Sequence, residues 1–223
     1  ARAFTGLVEL SADGRNFQLH FDEGYVVNLS ARPHDAREEL GPMLRVAERI
    51  SEDELAKASS YAIKNDQSLE VALHELELLS DEAIRNASAG RLTYLLRQIC
   101  ELGDATAQLN ESGRGLLADQ SIDDVRVQIP VESVIFRRRI DDYHQLAPEE
   151  RERLTESFGD TYPQITEGGR GRIQRAFADE AHRRMVGELV DGSRRLTDLI
   201  TDSFLPPAET VSVLHALRSM NLV

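Results

Sequence analysis

The chain has 223 residues, with 26 Lys+Arg against 39 Asp+Glu, one cysteine and no tryptophan. At ~150 residues per domain this is one large domain or two small ones, and a hydrophobic share of 41% supports a packed core. No run approaches the ~20 apolar residues of a membrane span, a net charge of −13 repels polyphosphates, and a lone cysteine excludes an internal disulfide.

The first thirty residues read as strands. Phe4 to Leu10, Asn16 to Phe21 and Tyr25 to Leu29 are short and rich in Val, Leu, Phe and Tyr, with Ala12-Asp13-Gly14 and Asp22-Glu23-Gly24 between them. The pattern predicts a three-stranded meander. Phe17, Leu19 and Phe21 alternate with Gln18 and His20, so one face packs and one is wet, and His20 is expected as a solvated strand residue. A small meander is marginal alone, so helices must cover its apolar face.

A repeat follows. Leu40, Leu44, Ile50, Ser51, Leu55 and Ala58 match Leu69, Leu73, Leu79, Ser80, Ile84 and Ala87, each 29 residues on. Each unit, within about 36–90, reads as a short helix, a tight connection and a second helix opened by a serine cap. Ser51-Glu52-Asp53-Glu54 has the form of a capping box, in which serine and glutamate satisfy each other's orphan N–H groups. A period of this length implies stacked helical hairpins sharing one core.

The repeat resembles the MshE-N type of amino-terminal domain found in type II secretion and pilus assembly ATPases. That family has two tandem units of the form Arg-Leu-Gly-x-x-Leu-x-x-x-Gly-x-Ile-x-x-x-x-Leu-x-x-Ala-Leu, whose Arg and Gly positions wrap cyclic di-GMP in the binding members. The first unit here keeps Leu40, Gly41 and Leu44 but has Glu39 for the arginine and Glu48 for the second glycine. The second keeps Leu69 and Leu73, with Ser68, Glu70 and Glu77 at the Arg and Gly positions. The resemblance implies the helical scaffold, while its acidic substitutions oppose a phosphate ligand. If cyclic di-GMP binds, the candidate contacts are Arg37, Leu40, Gly41, Leu44, Leu69 and Leu73, with Arg45 the other arginine at hand.

Thr5-Gly6-Leu7-Val8 and Phe21-Asp22-Glu23-Gly24-Tyr25-Val26-Val27 resemble the signature of the PatA amino-terminal-like (PATAN) domain of bacterial signalling and motility proteins. Leu92 to Leu102, a strand at Ala105 to Leu109 and a helix opening at Pro130-Val131 extend the likeness over residues 4–143. It implies a PATAN-like domain over 1–145 with the repeat inside it. Cys100, among Tyr94, Leu95, Leu96 and Ile99, is expected as a buried structural thiol.

Ala147-Pro148-Glu149-Glu150 predicts a helix start with proline in its first turn. Glu167-Gly168-Gly169-Arg170-Gly171-Arg172 predicts a loop. From Arg172 on, Ile173, Phe177, Ala181, Met185 and Leu189 recur at helical spacing until Asp191-Gly192. A helix at Ser193 to Asp202 and another carrying Val211, Val213, Leu214 and Leu217 complete a pattern that resembles a winged helix over 146–223. Seven arginines gather there, Arg170, Arg172, Arg175, Arg183, Arg184, Arg194 and Arg195. The segment nonetheless holds ten Lys+Arg against thirteen Asp+Glu, and its reader position ends in Thr197, Asp198, Thr201 and Asp202, so nucleic acid is not the expected partner. Arg137-Arg138-Arg139 is expected as a solvated face paired with Asp141 and Asp142.

No P-loop, nucleophile elbow or zinc-helix spacing occurs. Asp141, Asp142 and His144, His34 with Asp35, and Glu180 with His182 lack the i, i+4 histidine pair that puts two ligands on one helical face. His74 and His215 lie beside apolar helix positions and are expected as packing histidines. Neither catalytic residues, a metal nor a cofactor is expected. Together these features point to an α+β bacterial cytoplasmic protein that binds partners without chemistry, a second copy of itself included. A cyclic di-GMP sensor and a DNA-binding regulator are the alternatives. With no secretory leader visible, a reducing compartment is expected, and the start at Ala1 fits a piece of a longer protein.

Overall fold

The computed structural model describes residues 4–110, 127–159, 161–177 and 179–223. The fold is α+β. The chain divides into two compact units, residues 2–129 and 130–223.

In the first unit β1 (Gly6–Ala12), β2 (Arg15–Asp22) and β3 (Tyr25–Arg32) form the expected meander. Both hairpin turns place two successive residues at positive φ, Asp13 and Gly14 in one, Glu23 and Gly24 in the other. This twist suits the tightest antiparallel connections. β4 (Thr106–Asn110) runs antiparallel to β1, and the two-residue β5 (Ile129–Pro130) completes the order β4-β1-β2-β3-β5. Phe17, Leu19, Leu29 and Ala31 point to the packed face and are buried. Thr5 and the Phe21-x-x-Gly24 step, distant in sequence, meet at the β2–β3 turn. The Glu23 N–H donates to Thr5 Oγ1 at 3.0 Å, the Gly24 N–H donates to the Phe4 carbonyl at 2.8 Å, and the Phe4 and Phe21 rings stack edge-on at 5.6 Å.

His20 departs from expectation. Burial of the half-covered ring holds its pKa below the usual histidine value, and Nδ1 has no partner among the described residues. Leu7, opposite His20 in the register, is also buried, so this face is wet only in part.

Four helices follow, α1 (Leu40–Val46), α2 (Glu52–Asn65), α3 (Leu69–Glu75) and α4 (Asp81–Glu101). The stretch Leu92 to Leu102 is the end of α4 and its cap, ahead of β4. Cys100, near its end, is half-buried instead of buried. One polar network binds α4 to the sheet. Arg15 donates to both oxygens of buried Glu38 at 2.9 and 2.7 Å and to Gln98 at 2.9 Å. Arg91 donates to the carbonyls of Glu38 and Leu29 at 2.9 and 3.1 Å.

The second unit holds α5 (Val131–Gln145), α6 (Pro148–Phe158), α7 (Gly169–Ala176), α8 (Glu180–Leu189), α9 (Leu196–Asp202) and α10 (Pro207–Ser219). The sequence placed a boundary at 145/146, whereas the compact units part at 129/130. Phe136, Ile140 and Tyr143 of α5 belong to the core formed by α7, α8 and α10, and this packing carries the helix into the second unit.

Three features of the tail differ from the sequence reading. Gly169 to Arg172 are helical rather than loop, since Ile173 and Ala176 of the same helix enter the core. Gly169 serves close approach: a Cβ there would lie 2.8 Å from Thr166 Oγ1 and 3.0 Å from the Leu222 carbonyl. The single helix expected from Arg172 to Leu189 is two helices, because the Asp179 carboxylate accepts the Ala181 N–H at 2.7 Å and starts α8 afresh. The helix expected at Ser193 begins at Leu196. Among the described residues beyond β5, the pairing of extended backbone in this unit is the isolated bridge Gln164↔Asp191, so the resemblance to a winged helix gains no wing hairpin.

Candidate partner-binding site on the helical repeat

The 29-residue match extends to the backbone of the two hairpins. Ser51 and Ser80 cap α2 and α4, accepting the Glu54 and Ala83 N–H groups at 3.3 Å each. Glu54 returns the bond to the Ser51 N–H at 3.0 Å, completing the expected capping box. These bonds hold the Glu54 carboxyl below its ordinary pKa, the serine hydroxyl contributing most.

Between the helices the two connections close identically. The Arg49 N–H donates to the Leu44 carbonyl at 2.9 Å and the Leu78 N–H to that of Leu73 at 3.0 Å. Glu48 and Glu77, at the positions of the glycine in the resembled pattern, have φ of 53° and 52°. The backbone conformation that favours glycine is thus retained under a glutamate. A polar contact between basic and acidic side chains also recurs at equivalent places, the ion pair of Arg45 with Glu52 at 3.6 Å and the hydrogen bond between His74 Nδ1 and Asp81 at 2.6 Å.

The candidate nucleotide contacts occupy different environments. Leu40, Leu44 and Leu73 are buried in the core shared by the two hairpins, and Leu69 packs against it. Gly41 is buried because a Cβ would lie 2.8 Å from Leu55 Cδ1. Arg37 is exposed and donates to Asp35 at 2.6 Å; its guanidinium holds the Asp35 carboxyl down to about 2. Arg45 is exposed at the end of α1. At the arginine positions of the motif Glu39 is exposed, and Ser68 spends its hydroxyl capping α3 by accepting the Val71 N–H at 3.3 Å. At the glycine positions Glu48 and Glu77 are exposed and Glu70 is partly buried, accepting from the Ser88 hydroxyl at 3.4 Å.

The hairpins pack crosswise, α2 on α3 and α1 on α4. Between α1 and the first half of α4 lies an open hollow of about 430 Å³, lined by Met43, Leu44, Ala83 and Ala87, by the exposed Ala47 and Gly90, and by Ser80. Arg49, Glu82 and Asn86 stand on its rim. A second hollow, of about 520 Å³ beside His74 and Asp81, is lined by Glu75 and Glu77 as well and is acidic.

Elsewhere the expected candidates have local duties. His182 is buried between the rings of Phe136 and Phe177 and meets Glu209 at 2.9 Å. His215 lies beside Tyr143, and its pKa is lowered first by burial and then by Arg139 and Arg218. Of the seven tail arginines, Arg175 binds Glu132, Arg184 binds Glu188, Arg194 binds Asp191 and Asp202, and Arg195 meets the Tyr162 hydroxyl. Arg170, Arg172 and Arg183 are exposed. Arg138 and Arg139 both reach Asp142, at 2.9 and 3.6 Å, on the α5 face. Among the described residues there is no group of three or more His, Cys, Asp or Glu side chains placed to hold a metal ion, and no helix is long and apolar enough to cross a membrane.

Sequence reasoning did not single out Glu38, Arg15 or Arg91, the network that holds the repeat to the sheet. Glu38 in Ala36–Glu38, a single 3-10 turn, looks in the sequence like any other charge in an acidic stretch. Compared with family models, curated proteins and solved structures, the chain has no match.

Proposed function

We propose that this chain is a non-enzymatic regulatory or scaffold module of bacterial signalling, motility or secretion, which docks protein partners on its helical repeat in the cytoplasm. The observation that carries the reading is the contrast within the repeat. The hairpin backbone, caps and left-handed turns recur in both units, while Glu39, Glu48, Glu70 and Glu77 stand where the resembled family meets phosphate. Carboxylates in those places repel a cyclic dinucleotide. An apolar hollow with a polar rim is the kind of surface that anchors a protein side chain.

Two experiments test the reading. Calorimetric titration with cyclic di-GMP is expected to be flat, and micromolar binding would turn the module into a second-messenger receptor. A photo-crosslinking residue at Val46 or Ile63, which are 82% and 83% exposed, is expected to give a discrete adduct with one protein in cells. Absence of adducts from both positions counts against partner docking on the repeat.

A further inference from the structure

We propose that the hollow between α1 and α4 is a socket for one large apolar side chain, phenylalanine or leucine in kind, presented by a protein partner whose segment carries an acidic and a basic residue beside it. The inference rests on the partner-docking reading and adds the chemistry of the occupant.

The repeat supplies an internal comparison. Because the two hairpins are related by 29 residues and pack crosswise, the α2–α3 contact is the counterpart of the α1–α4 contact. In the α2–α3 contact the partly buried Tyr61 packs against the shared core, with the Glu75 carboxylate near enough to raise its phenol pKa. The residue equivalent to Tyr61 in the other contact is Gly90, and the one equivalent to Glu75 is Val46. A Cβ built on Gly90 would meet no atom within 4 Å. One half of the repeat therefore packs Tyr61 and Leu76 of its own chain at this contact, and the other half, with Gly90 and Ala47 at the equivalent positions, leaves a hollow of about 430 Å³.

The differences in side chain define the occupant. Val46 stands where Glu75 does in the twin, and Met43, Leu44, Ala47, Ala83 and Ala87 give the hollow an apolar floor. The volume falls in the range of about 300–1,000 Å³ typical of ligand pockets, and burying a large apolar side chain is the principal gain such a floor offers. Arg49 and Glu82 stand on the rim, one after α1 and the other in the first turn of α4, and neither forms an ion pair among the described residues. Opposite charges on the two walls that do not bridge each other complement a segment bearing one charge of each sign.

The test uses the whole chain and a defined probe. The ¹⁵N-labelled protein is titrated with N-acetyl-Asp-Phe-Lys-amide while the amide resonances of Ala47, Ala83, Ala87 and Gly90 are followed. Saturable shifts are expected at those amides. N-acetyl-Asp-Ala-Lys-amide is expected to bind at least tenfold more weakly, and N-acetyl-Ala-Phe-Ala-amide at an intermediate level. Gly90→Phe places a ring where Tyr61 places one in the twin, and is expected to abolish the shifts without lowering Tm; Ala87→Leu is the second plug if the first does not fold. The proposal is overturned by unshifted amides, by equal binding of the alanine probe, or by a folded plug variant that binds as the parent does. Adducts from Ile63 with no peptide shift would overturn the socket and leave partner docking intact.

Discussion

Leu73→Ala and Leu44→Ala make the same chemical deletion at equivalent positions of the repeat, in unequal surroundings. Leu73 is fully buried, and Leu44 is 3% exposed and floors the hollow between α1 and α4. Each deletion forfeits ~2 kcal/mol of transfer free energy. At Leu73 the void is closed on all sides, and a residual cavity of roughly 60 Å³ at ~24 cal/mol per Å³ adds ~1.5 kcal/mol. At Leu44 the void merges with a space already open to solvent, so the second contribution is small. The expected losses are ~3.5 kcal/mol for Leu73→Ala and ~2 kcal/mol for Leu44→Ala, or about 300-fold and about 30-fold in the local opening equilibrium. Hydrogen exchange followed by mass spectrometry on peptides covering α2 and α4 reads this directly, with α10 peptides of the second unit as the internal control. Equal losses at the two leucines, or a loss below ~1 kcal/mol at Leu73, would refute the description of one closed and one open contact.

Glu38→Ala leaves Arg15 without its bidentate partner beneath the repeat, and is expected to cost ~3 kcal/mol in urea unfolding, well beyond the effect of Glu39→Ala beside it. Ser51→Ala and Ser80→Ala each remove one helix cap and are expected to cost ~1 kcal/mol, measured by thermal unfolding. Glu48→Gly relieves a left-handed non-glycine residue at ~1–2 kcal/mol and loses ~0.4–1 kcal/mol to unfolded-chain entropy, so a small net gain in denaturation midpoint is expected. The His215 ring is expected to titrate below the ordinary histidine value in an NMR pH series. With its folded pKa lowered, the unfolded chain binds more protons, so this contribution to stability is complete above about pH 6.5 and declines as pH falls from there toward the folded pKa. His215→Gln is expected to flatten that part of the stability profile.

What was legible in the sequence was local and periodic. The serine caps, the strand alternation around Phe17 and Leu19 and the register of the hairpins are written in neighbouring residues, and all stand in the fold. What was not legible depended on residues far apart in the chain. Gly169 reads as a breaker because its reason for being glycine is the Leu222 carbonyl 3.0 Å from where a Cβ would sit, contributed by the far end of the chain. Glu38 reads as surface charge because Arg15 lies on a different element. Asp179 carries a local cap signal that was outweighed by an apolar spacing continuing across it. The hollow was hidden for another reason: it reflects small residues at Ala47 and Gly90, visible only once their twins Leu76 and Tyr61 are known to pack against the shared core.

Helix α4 belongs to two structures at once. Its first half walls the hollow with Ala83, Ala87 and Gly90, and its second half carries Gln98 to the sheet-borne guanidinium of Arg15, with Arg91 tied to the carbonyl of Leu29 on β3. At ~1.5 Å per residue its 21 residues form a rod roughly 30 Å long, and no proline or other break interrupts it. A tilt imposed at one end is therefore transmitted as a lever arm to the other, and the pleated layer feels the load that the hairpins receive.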